Sequence, residues 1–115
     1  MAKYMWQGSY TVEGTKGVIA EGGSARRAAV EKMLAGMGGK LESFYFSFGG
    51  DDVVIIVEAP DNIGAAAVGL TVAASGAVRG RMTVLLSPED IDKATKKSPA
   101  YRPPGAKPKR AAKKG

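Results

Sequence analysis

Cysteine and histidine are both absent from this chain of 115 residues. The first absence removes any disulfide framework and any thiol nucleophile, and the second removes the imidazole base. Together they remove the usual protein ligands of zinc and haem, so no cofactor and no metal site is expected. Long apolar runs are missing too. None approaches the roughly 20 residues of a membrane span, and Met1-Ala-Lys-Tyr-Met-Trp lacks the apolar core of a signal peptide. The expectation is a cytoplasmic protein with no membrane partner. The length suits one domain around one core.

Acidic residues are lacking in one stretch only. Seven of the 17 Lys and Arg lie between Lys97 and Gly115, where there is no Asp or Glu. All 11 acids therefore fall in residues 1–96, and the net charge of +6 belongs to the tail, not to a nearly neutral body. Pro99, Pro103, Pro104 and Pro108 punctuate the same stretch, which has too little apolar surface to offset its conformational entropy. Two regions are expected: a folded domain over 1–96 and a disordered Lys/Pro-rich tail over 97–115. Such a tail suits weak, non-specific nucleic-acid binding; the plainer alternative is a solvated extension.

Within the body, hydrophobic period predicts four strands and three helical segments. Strands are expected over 3–11, 41–48, 53–57 and 77–86. A turn or short helix is expected over 15–20. Ser24 reads as the N-cap of a helix carrying Val30, Met33, Leu34 and Met37 and stopped at Gly38-Gly39. Asp61 reads as the cap of an Ala-rich helix over 62–75, with Ile63, Ala66, Ala67, Leu70 and Ala74 as its inner face. Ser87-Pro88-Glu89-Asp90 opens a short last helix.

The order β-α-β-β-α-β is that of an α+β, ferredoxin-like fold with a four-stranded antiparallel sheet. The first and third strands are placed at its centre and, in this reading, parallel to each other. Both main helices cover one face. The apolar sets Tyr4, Trp6 and Tyr10, Phe44, Phe46 and Phe48, Val53, Ile55 and Val57, and Val78, Met82 and Val84 are assigned to that face. The run Val53-Val54-Ile55-Ile56-Val57 is apolar on both sides, so the outer face needs a cover as well. The simplest cover is a second copy, giving a homodimer through the outer sheet face.

Three stretches resemble the GYD-domain proteins of bacteria: Gly22-Gly23-Ser24-Ala25-Arg26-Arg27-Ala28-Ala29-Val30, the strand from Gly39 to Gly49, and Asp52-Val53-Val54. The resemblance covers about residues 3–94. It implies a ferredoxin-like dimeric α+β barrel and no established activity. The Gly-Tyr-Asp turn that names the family reads Gly49-Gly50-Asp51-Asp52 here, with Asp51 in the tyrosine's place.

Four features could carry chemistry. Gly22, Gly23, Ser24, Arg26 and Arg27 form a candidate anion site at a helix start, the alternative being arginines solvated or paired with Glu21 or Glu31. On the outer face, Tyr45, Glu58 and Arg79 are candidate catalytic residues, with Gln7, Ser9, Thr11 and Arg81 lining a cleft. With parallel central strands, Glu58, Arg79 and Thr11 would gather at one end; a structural ion pair at a dimer interface is the alternative. The strand Phe44-Tyr45-Phe46 invites an RNA-recognition reading, but the third strand has nothing to stack on a base. Asp51-Asp52 is explained by turn chemistry. Two functions follow: a small dimeric binding or sensor-like module without catalysis, or a cofactor-independent enzyme of monooxygenase or isomerase type acting in the barrel cleft.

Overall fold

The alternating residues at the N-terminus form β1 (Ala2–Tyr10), and the rest of the chain builds on it as α1 (Val12–Glu21), α2 (Gly23–Gly36), β2 (Lys40–Phe46), β3 (Val53–Ala59), α3 (Asn62–Ala74), β4 (Val78–Leu85) and α4 (Pro88–Thr95). This computed structural model describes residues 1–47 and 49–106. Phe48 and the tail residues Lys107, Lys109, Arg110, Lys113 and Lys114 lie outside the described residues. The chain divides into two units, Met1–Leu85 with the sheet and Leu86–Gly115 with α4. Among the described residues no helix is long and apolar enough to cross a membrane.

The sheet order is β2-β3-β1-β4, the ferredoxin-like arrangement. Every neighbouring pair is antiparallel, including β1 with β3. This corrects the expectation of parallel central strands. A helical crossover returns the chain so that β2 runs with β1, and the β2–β3 hairpin then reverses it, so β3 must oppose β1.

Burial follows the alternation. Tyr4, Val53, Ile55, Val57 and Ala59 from the sheet meet Leu34 of α2 and Ala65 and Val68 of α3 in the core. Trp6, Tyr10, Phe44 and Met82 pack against it, as assigned from sequence. Val84 shares that face through its pairing with Tyr4 but is 53% exposed. The buried Tyr4 hydroxyl donates to Asn62 Oδ1 at 2.5 Å, which ties the centre of the sheet to the start of α3.

Three local readings change. The turn or short helix expected over 15–20 is a full helix, Val12–Glu21, because Thr11, expected at the end of the first strand, caps it instead. Ser24 is not the cap of α2; Gly22 takes that position with φ 85°. Helix α1 ends at Glu21 and α2 begins at Gly23, so the chain must swing between two helices at one residue, and the positive φ suits glycine. The inner face of α3 also differs. Ala65, Val68 and Val72 point inward, whereas Ile63 and Leu70 are 80% and 72% exposed. The helix is apolar on all sides, so period alone could not choose between its faces. Asp61 does cap it, its Oδ1 accepting from Gly64 N at 2.8 Å. In the second unit, Ser87 and Asp90 form a reciprocal capping box around Pro88.

One close approach shapes the inner face. Gly8 of β1 stands opposite Gly80 of β4, and the Trp6 indole lies over both; a Cβ at either would overlap the ring. Gly69 in α3 has nothing within 4 Å of its would-be Cβ. Gly80→Ala should therefore cost about 1–3 kcal/mol by overpacking, while Gly69→Ala should gain about 0.5–1 kcal/mol from helix propensity. Urea unfolding of the two variants should show these opposite signs.

Candidate functional site

On the outer face the expected cluster does not assemble. Glu58 stands opposite Lys3 and Arg79 opposite Ser9, six positions apart along β1. At about 3.3 Å per residue that is roughly 20 Å. Their convergence required a parallel β3, which the hairpin forbids. Thr11 has left the sheet: its hydroxyl oxygen accepts from Gly14 N at 3.2 Å as the cap of α1 and donates to Gly76 O at 2.9 Å. Ser9 donates to Gly50 O at 3.4 Å. Gln7 and Arg81 do meet, Arg81 donating to Gln7 Oε1 at 3.2 Å and to Asp51 Oδ2 at 3.1 Å. Tyr45 is 69% exposed opposite Val54. Asp52 is tied into the turn, its Oδ2 accepting from Tyr10 N at 2.9 Å.

The candidate anion site takes the paired form. Arg27 Nε lies 3.7 Å from Glu31, one turn along α2, and Arg26 donates to Glu21 Oε1 at 3.2 Å. Gly22 and Gly23 form the α1–α2 corner, with a Cβ at Gly23 blocked by the Phe46 ring. Ser24 is exposed in the first turn.

A different site appears on the helix side of the sheet. A cavity of about 110 Å³ lies between the sheet, α2 and α3. Its walls include Trp6, Phe44, Ile55, Val30, Met33, Val68, Val72 and Met82, and its polar groups are few: Tyr10 and Arg26. The indole forms one wall because Gly8 and Gly80 let it lie close to the sheet. Arg26 reaches inward from α2, and its Nε is buried without a hydrogen-bond partner. Tyr10, stacked at 6.4 Å on Phe46, completes the polar end. Burial holds the Tyr10 phenol above its ordinary pKa of 10.0, against the opposing pull of the adjacent Arg26 guanidinium. At neutral pH this end of the cavity therefore offers a phenol and a guanidinium, both donors. Tyr10, Arg26, Met33, Val72 and Val78 also line a more open cleft of about 350 Å³ beside α1, which makes them the neck between cavity and cleft.

A family model described as the GYD domain matches residues 4–95. The chain belongs to the GYD-domain family. Neither the curated proteins nor the solved structures contain a match to it. The resemblance drawn from Gly22–Val30, Gly39–Gly49 and Asp52–Val54 is thus established for most of the chain, and the activity must be argued from this GYD domain's own geometry. Among the described residues no group of three or more acidic side chains gathers in a metal-holding arrangement.

Sequence reasoning named Arg26 as part of a helix-start anion site and assigned Trp6 and Tyr10 to the packed face. It missed that the three meet around a void. The available signal was the Gly8–Gly80 pair beside a lone Trp, together with the small residue Ala29 on α2.

Linkage gives a test of Tyr10. A phenol whose folded pKa is raised stabilises the fold fully below its unfolded value of 10.0 and loses that contribution as pH climbs through the folded value. Lys3, raised by its hydrogen bond and charge pairing with Glu42, acts in the same sense. Stability should fall above pH 10 in the unmodified protein, and less steeply in Tyr10→Phe, when unfolding is followed against urea across the alkaline range.

Proposed function

We propose that this GYD domain is a small-molecule-binding module, and that its ligand occupies the cavity between sheet and helices. The observation that carries this reading is the buried, unpartnered Nε of Arg26 at the edge of an apolar cavity. Leaving a buried donor unmade costs about 1–3 kcal/mol, and more for a charged group, so native structures rarely keep one without use. A cavity near 150 Å³ with apolar walls accommodates a benzene-sized guest. The volume of about 110 Å³ here is smaller, and fits a short branched chain or a ring of four or five atoms whose acceptor oxygen lies at the neck. The ring would rest on Trp6 and the aliphatic walls; the oxygen would accept from Arg26 Nε and the Tyr10 hydroxyl. The alternative of catalysis on the outer face loses its support with the separation of Glu58 from Arg79.

We further propose that the working unit is a homodimer through the outer sheet face. Met5 stands opposite Ile56, Gln7 opposite Val54, and Lys3 opposite Leu85, so half-exposed apolar side chains adjoin across three strands. The Lys3–Glu42 and Arg81–Asp51 ion pairs lie on the same side. Ile56→Asp should convert a dimer to monomer or aggregate in light scattering; a monodisperse monomer from the unmodified chain would contradict the assembly.

Trp6 is the single tryptophan and lies on the cavity wall, so its fluorescence reports occupancy directly. Small cyclic amides and ketones should change it saturably. Arg26→Met should weaken that binding by about tenfold, the worth of a hydrogen bond to a charged donor. A signal that never saturates would mean that the void holds only solvent.

A further inference from the structure

Resting on the cavity reading, we infer that Glu21 is its specificity determinant: by holding Arg26 from the α1 side, it reserves the site for neutral carbonyl compounds over carboxylates. Three observations support this. Arg26 is already engaged, one terminal nitrogen donating to Glu21 Oε1 at 3.2 Å while its Nε remains without a partner. The guanidinium thus keeps a directional donor for a ligand but has its charge countered. The cleft outside the neck is lined by Glu13 and Glu21 as well as Arg26, and Lys16 lies 3.6 Å from Glu13 on the exposed side of α1. Two carboxylates therefore answer two cations, and no surplus positive charge waits for an anion. The other donor, the Tyr10 hydroxyl, is neutral at neutral pH like any phenol, and burial moves its ionisation further from that range.

The energetics favour the neutral ligand. A carboxylate entering this cavity would give up hydration that is costly to replace, and it would share Arg26 with the Glu21 carboxylate. A carbonyl oxygen gives up far less and still has lone pairs for both donors. The position of Glu21 is fixed by the fold and not by chance contact. It is the last residue of α1, and the Gly22 corner turns α2 back so that Arg26, one turn into α2, faces it.

The test compares isobutyramide with isobutyrate, isosteres that differ in charge and suit a cavity of about 110 Å³, by amide NMR titration of the full chain and of Glu21→Gln at neutral pH. Shifts should centre on Trp6, Val30, Val68 and Met82. The unmodified protein should prefer isobutyramide, and Glu21→Gln should move the ratio of the two affinities toward isobutyrate by about three- to fivefold, the scale of a half-exposed ion pair. Equal binding of both compounds by the unmodified protein, or an unchanged ratio in the variant, would overturn the role of Glu21 while leaving the cavity as a binding site. No shift with either compound, in a variant and a parent that both keep their folded spectra, would overturn the cavity reading itself and this inference with it.

Discussion

The Trp6 indole resting on the Gly8–Gly80 pair is the contact on which the interior of this domain depends. Two facing glycines leave the sheet without Cβ atoms at one spot on β1 and β4, and the largest side chain of the protein fills it. With the ring held down, α2 and α3 meet the sheet through Leu34, Ala65 and Val68, and the space between them is not filled. Close packing is the rule in protein interiors, so a void beside a charged side chain needs a reason. The proposed ligand binding would supply one.

Charge is arranged around that void with economy of residues. The body is nearly neutral, and most of its ion pairs are exposed, where each contributes little. The Arg26–Glu21 pair is also partly exposed, but the Arg26 side chain has in addition a buried Nε at the edge of the cavity. A single arginine thereby joins the α1–α2 corner to the site. The corner depends on Gly22 in turn, since no other residue turns the chain from one helix into the next at φ 85° without strain.

The two faces of the sheet do different work. The inner one carries the core and the cavity; the outer one carries an apolar strip with ion pairs on the same side. A bulge near Glu42 shifts the β2 register between Leu41 and Ser43, and the Glu42 carboxylate meets Lys3 across β3. Such an arrangement places apolar area beside directional polar contacts, which is the surface the proposed homodimer would use.

By itself the sequence determined the strands, the main helices and their order, and divided each strand into two faces without deciding which of them the helices cover. Alternation in Tyr4-Met5-Trp6 and in Val53–Val57, the Asp61 and Ser87 caps and the glycine stops are local signals, and local physics decides them. It also carried the family resemblance. Strand direction at the centre of the sheet, the inner face of α3 and the site were decided only in three dimensions. The hairpin's reversal sets Glu58 and Arg79 apart, a relation no single strand encodes. Helix α3 is apolar all round, so contact with the sheet, not period, selected Val68 over Leu70. The cavity exists because Gly8, Gly80, Trp6, Ala29 and Arg26, scattered over three elements, come together. Empty space has no residue of its own, and only the packing of the others creates it.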